Sequence, residues 1–181
     1  MAPMNNLRGI NARLALLAWL AAAPACVATL AAQEPVVAAA DAEALFTSRD
    51  PKLHANKQVA LHIMRDLLEA NHWELADKFL TPEYIQHNPN VASGREGVVK
   101  YFTATRKPSP IPEKMKTKIV AVIADGDLVI VATPREYPDP RDPSKKYSTT
   151  WFDMWRIKDG KADEHWDGAT ISAAPPAAPA R

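Results

Sequence analysis

Thiols are nearly absent from this 181-residue chain: Cys26 is its one cysteine. No internal disulfide can form, and neither a thiolate metal cage nor a dithiol redox centre can be built. Glycine is almost as scarce, with 6 residues scattered in turn-like positions, so no glycine-rich loop exists to cradle a phosphate. A serine-centred nucleophile elbow is missing, as is a tight His-x-x-x-His metal spacing. Charge of one sign is lacking too, since 22 basic residues stand against 21 acidic ones. That balance gives no electrostatic footprint for nucleic acid or an anionic membrane.

One absence is local. No Asp or Glu precedes residue 33, and the only basic residues there are Arg8 and Arg13. An apolar stretch from Leu14 to Ala23 follows them, then small residues from Pro24 to Ala32. A basic start, a short apolar run and a small-residue exit are the parts of an export signal. The run is short for a membrane span, which needs roughly 20 apolar residues. Residues 1–32 therefore read as a signal peptide, cleaved near Ala31 or Ala32 or earlier at Ala28, and the mature chain as periplasmic or secreted. An uncleaved anchor and a lipid anchor at Cys26 are the alternatives; Ala23-Pro24-Ala25 lacks the Leu expected three residues before a lipidated cysteine. A chain cleaved after Cys26 has no membrane attachment and no thiol.

Residues 33–40 read as a linker, 41–171 as a single domain, and 172–181 as an Ala/Pro tail too poor in apolar surface to order itself. Within the domain the hydrophobic period changes once. Val59, Ile63, Leu67 and Leu68 recur at helical spacing, predicting a helix over 52–71. A second helix is expected over 72–80 and ends at Thr81-Pro82. Tyr84 to His87 is a short extended segment, and Ser93-Gly94-Arg95-Glu96 opens a third helix to about Thr105, with Val98, Tyr101 and Phe102 inward. Then the period becomes two: strands over 115–124 and 128–133, a polar, proline-laden loop over 134–146, and a last hairpin of 147–157 and 161–171 around Lys158-Asp159-Gly160. Helices first and an antiparallel meander after them is an α+β pattern. A curved sheet burying one face on those helices would leave a pocket between.

Register in the last hairpin decides which side chains meet. A three-residue loop with Gly160 in the left-handed conformation sets Asp153 opposite His165 and Trp151 opposite Asp167, all on one face. Arg156 and Glu164 then share the other face, near enough to pair. A two-residue loop would instead set Asp153 opposite Trp166 and lose Asp167 from the shared face.

Two stretches carry a family resemblance. Tyr84-Ile85-Gln86-His87-Asn88-Pro89 runs into Gly94-Arg95-Glu96-Gly97 and Tyr101-Phe102, and Phe152 to Lys161 runs into Glu164-His165-Trp166-Asp167. Together they resemble the SnoaL-like proteins of the nuclear-transport-factor-2-like superfamily, relatives of polyketide cyclases that close rings by aldol condensation. The resemblance spans about residues 55–168 and implies a cone-shaped α+β barrel, a curved antiparallel sheet wrapped around three N-terminal helices. It favours the three-residue register. It implies an aspartate acid/base at Asp167, a pocket histidine at His87, and a homodimer packed through the outer sheet face with Phe152 and Met154. Asp153 matches a position that is histidine in active cyclases, a departure that weakens the aldol expectation.

The candidate catalytic residues are thus Asp167, Asp153, His87 and His165, with Trp151, Trp155, Tyr84 and Tyr101 lining the pocket. Carboxylates desolvated in an apolar pocket suit proton transfer beside a carbonyl. A lyase- or isomerase-type enzyme acting without cofactor or metal on a small apolar, carbonyl-bearing molecule is one reading. A non-catalytic binding module that kept the pocket is the other.

Overall fold

The computed structural model describes residues 33–104 and 106–172. The signal-peptide expectation (1–32) and all of the Ala/Pro tail beyond Ser172 lie outside the described residues. The supposed linker is docked on the domain: the Val36 N–H donates to Ser148 Oγ at 2.9 Å and the Ala39 N–H to the Ile119 carbonyl at 2.8 Å.

A short 3-10 turn, Glu43–Phe46, precedes α1, Pro51–His62. Asp50 caps α1 by accepting the Leu53 N–H at 3.0 Å, and Pro51 occupies the first turn, where no N–H is needed. The helix then widens into a π-helical segment, Ile63–Glu69, closed by the Ala70 N–H bonding the Arg65 carbonyl. Asn71, at φ 63°, stops it in the left-handed conformation. The expected second helix is shorter than its apolar spacing suggested: a 3-10 turn Trp73–Leu75, then α2, Ala76–Phe79. Leu80 already belongs to β1, Leu80–Gln86, and α3 spans Arg95–Thr103.

The rest is sheet: β2 Ala121–Asp125, β3 Leu128–Asp139, β4 Asp142–Lys158 and β5 Lys161–Asp167, in the order β1-β5-β4-β3-β2. The fold is the expected α+β cone, a curved five-stranded sheet around three helices, but the sheet is open and not wholly antiparallel. β1 pairs with β5 in parallel. As an edge strand it tolerates Pro82.

Three local expectations need correction. The strand starts at Ala121 and not at 115: the Lys116 and Thr117 N–H groups bond the Glu69 carboxylate instead of a ladder. The 134–146 loop is a two-stranded ribbon, with Tyr137 opposite Tyr147 and a tight turn at Pro140-Arg141. Its prolines fit because β2 pairs with β3 only as far as Ala132, so among the described residues Pro134 and Pro138 face no strand that needs their N–H. Lastly, the Asp159-Gly160 turn has two residues, both at positive φ, joining Lys158 to Lys161. A bulge at Asp163 follows, so that Trp155 faces His165 and Asp153 faces Asp167.

The core lies between the inner sheet face and the helices, with Phe46, Leu67, Leu80, Ile119, Val129, Val131 and Trp155 fully enclosed. Gly97 in α3 is part of that packing: a Cβ there would stand 2.8 Å from the Ala92 carbonyl oxygen. Backbone cannot yield cheaply, so Gly97→Ala is expected to cost about 1–3 kcal/mol. Gly168→Ala, with no described residue in the space its Cβ would enter, is the control. Thermal denaturation of both should lower the midpoint only for Gly97→Ala; equal midpoints would contradict this packing.

Candidate active site

Alternation along β4 aims Trp151, Asp153 and Trp155 inward, and the Asp163 bulge brings His165 and Asp167 of β5 to the same side. They form one wall of a cavity of about 340 Å³ between sheet and helices. Ile63, Met64, Leu68 and Glu69, all from the π-helical segment, line the facing side with Trp73, Tyr101 and Phe102. Trp73 and Phe102 stack at 4.4 Å, and Tyr101 meets Phe102 edge-on at 5.0 Å. The lining is mostly apolar and rich in aromatic rings, and the β4–β5 wall contributes Asp153, His165 and Asp167 to it.

That wall is tightly bonded. His165 Nδ1 lies 2.8 Å from Gln86 Oε1, and Nε2 lies 3.2 Å from Asp153 Oδ1. The same Gln86 oxygen accepts the Asn88 N–H at 2.9 Å, which fixes the amide's orientation and makes His165 Nδ1 the donor. Nε2 and Asp153 Oδ1 would then oppose two lone pairs, so one proton lies between them. The Trp151 indole N–H also donates to Asp153 Oδ1, at 3.2 Å. Asp153 and His165 are only 8% and 6% exposed, so this proton is sheltered from bulk water.

Asp167 is half-buried at the cavity wall. Its Oδ2 accepts from the Asn88 amide at 2.8 Å and its Oδ1 from the Ala169 N–H at 2.9 Å. Asp153, His165 and Asp167 each offer one atom within 4.8 Å of the others. Such a set could hold a divalent cation, but the Asp153–His165 bond uses the same lone pairs, making proton and cation alternatives. Tyr84, buried beside them, accepts the Trp155 indole N–H at 3.1 Å. Burial pushes the Tyr84 hydroxyl well above its usual range; the Trp155 bond opposes this and the nearby Asp153 and Asp167 reinforce it. It stays protonated, and among the described residues its O–H has no acceptor.

One expected site residue is elsewhere. His87 lies on the outer face, its Nε2 2.8 Å from Glu164 Oε1 and its ring stacked on Trp166 at 5.1 Å. The cause is strand alternation: with Tyr84 inward, Gln86 and Asn88 point in and His87 points out. Gln86 and Asn88 take the cavity positions, and Arg135 from the ribbon stands at the rim. The sequence reading missed all three. Trp151, Trp155, Tyr84 and Tyr101 do line the cavity.

With this geometry in hand, the profile of the SnoaL-like domain matches residues 61–165. The chain belongs to the SnoaL-like family. Among solved structures it is similar to TsrD from Streptomyces laurentii, at 21% identity over 62% of this chain and 86% of that one, with a TM-score of 0.40. A candidate polyketide cyclase from Bacillus cereus is 18% identical over 74% of this chain and 84% of its own, with a TM-score of 0.47. A candidate SnoaL-like polyketide cyclase from Jannaschia is 16% identical over 67% and 91%, with a TM-score of 0.45. No curated protein matches significantly. No helix among the described residues of this SnoaL-like chain is long and apolar enough to cross a membrane.

The Tyr84 environment has a measurable consequence. An unfolded tyrosine ionises near pH 10, whereas the folded one resists ionisation. Tyr84 therefore adds no pH dependence to folded stability below that pH and lowers stability as pH rises above it. Tyr84→Phe removes this loss. In urea titrations, the stability difference between wild type and Tyr84→Phe should be flat up to about pH 9 and then shift in favour of the variant. A constant difference to about pH 11 would contradict the buried, protonated hydroxyl.

Proposed function

We propose that this SnoaL-like domain binds a small, largely apolar carbonyl compound and moves a proton beside its carbonyl group. The observation that carries the reading is an acid and a base on one wall of an aromatic cavity. The Asp153–His165 pair shares one proton, and one carboxylate oxygen of Asp167 lies within 4.8 Å of an atom of each partner. Asp167 takes a proton from the carbon next to the carbonyl. The Tyr84 O–H and the shared proton stabilise the oxygen as negative charge develops there. Returning the proton to a different carbon completes an isomerisation. Addition of the enol carbon to a second carbonyl, with protonation of its oxygen, completes an aldol step. Neither needs an oxidant or a cofactor.

A binding module without chemistry is the second reading, favoured by the two hydrogen bonds that already satisfy Asp167. Exchange into heavy water separates the two. The chain is incubated with a panel of neutral and anionic ketones, and loss of the protons next to the carbonyl is followed by NMR. Catalysed exchange is expected, falling about 100-fold or more in Asp167→Asn while cooperative unfolding persists. Ligand binding without exchange would leave the binding module.

Two wider features belong to this proposal. The chain is exported to the periplasm or beyond, on the strength of the basic, apolar and small-residue order of residues 1–32. It also pairs with a second copy through the outer sheet face, where Ile123, Ile130, Met154 and Trp166 form one row across four strands and Phe152 is 56% exposed. Sedimentation should give a dimer that Phe152→Glu converts to a monomer; a wild-type monomer would overturn the pairing.

A further inference from the structure

All the acids of the cavity are occupied. Glu69 accepts the Lys116 and Thr117 N–H groups and the Thr117 hydroxyl at 2.6–3.1 Å. Asp167 is held by Asn88 and Ala169, and Asp153 by His165 and Trp151. Among the described residues Arg135 is the single Lys or Arg lining the cavity, and none of these carboxylates pairs with it. Arg65, Arg141 and Arg156, by contrast, each pair with a carboxylate. Among the described residues Arg135 makes one contact of note: its guanidinium carbon lies over the Trp151 ring, 5.9 Å from the centroid. A cation placed over a ring face is attracted by it without using its N–H donors.

The same indole donates its N–H to Asp153. One rigid side chain therefore separates an uncommitted cation at the cavity rim from the acid/base wall inside. A guanidinium fork is matched to a carboxylate or similar oxyanion. The oxyanion end of a ligand would stay at the rim, away from Asp153 and Asp167, while its carbonyl end entered the aromatic interior.

We propose that the substrate class is a carbonyl compound bearing a carboxylate, a keto acid whose carboxylate docks on Arg135 and whose carbonyl reaches Asp153, His165 and Asp167 across the Trp151 indole. This rests on the proton-transfer reading for what happens at the carbonyl, but the anion site stands on its own geometry. Arg135 is a specificity determinant. It comes from the ribbon, the part of β3 and β4 that extends past the end of β2.

Calorimetric titration of the intact chain with 3-benzoylpropionate, and with its uncharged methyl ester, tests the inference. The acid should bind about tenfold or more tightly than the ester. Arg135→Ala should erase that preference, and Arg135→Lys should restore part of it. Added salt should shrink the acid's advantage, as expected for an exposed charge. An ester bound as well as the acid, or an undiminished preference in Arg135→Ala, overturns it. Proton exchange measured on the same two compounds keeps the two proposals apart. Equal exchange of acid and ester with equal affinity sinks the anion site and spares the chemistry. Acid-selective binding without exchange sinks the chemistry and spares the anion site. Binding of neither compound overturns both.

Discussion

A single extra residue in β5 governs what this site contains. The two-residue Asp159-Gly160 turn pairs Lys158 with Lys161 and Ile157 with Ala162. Continued without interruption, that register would set Asp153 against Trp166 and turn His165 and Asp167 to the outer face. The bulge at Asp163 shifts the pairing, so Ala162, His165 and Asp167 all point inward although Ala162 and His165 are three residues apart. Thr81 bonds the Asp163 carboxylate at 2.8 Å and ties the bulge to the edge strand. The hydrogen bonds among Asp153, His165, Gln86 and Asn88 depend on this irregularity.

A second constraint comes from β1. Because it runs parallel beside β5, its inward residues Tyr84 and Gln86, and Asn88 just past its end, stand next to the inward residues of β5. Gln86 orients His165 and Asn88 orients Asp167, so the polar network spans both strands. The helical side contributes shape more than polarity. The widened π-helical turn of Ile63–Glu69 presents its side chains to the cavity in a run that a regular helix would have spread around its circumference.

Much of this was legible beforehand, for identifiable reasons. The order of helical and strand periods gave the layers, and the Tyr84–Asn88 and Phe152–Asp167 stretches carried the family. The pairing of Asp153 with Asp167 was misjudged by two residues, yet a shift of two preserves which face a strand residue occupies, so the shared wall survived the error. Strand parity excludes His87 from the cavity: adjacent in an extended segment to Gln86, it cannot share the inward side with Tyr84. The ribbon is not legible in the sequence because four prolines in 134–143 suggest a loop, and nothing local reveals that a strand edge there lacks a neighbour. The place of Arg135 at the cavity is hidden for the same cause. The π-helical widening and the Glu69 bonds to Lys116 and Thr117 are tertiary outcomes with no local signal.

The ribbon's prolines have a bearing on solubility that goes beyond the site. A two-stranded projection has two open edges, each able to recruit a strand from another molecule. Pro134 and Pro138 withhold donors along one edge, while Lys145 and Lys146 set exposed like charges on the other. Residues that made this stretch look unstructured are the ones that let it stay extended without templating aggregation.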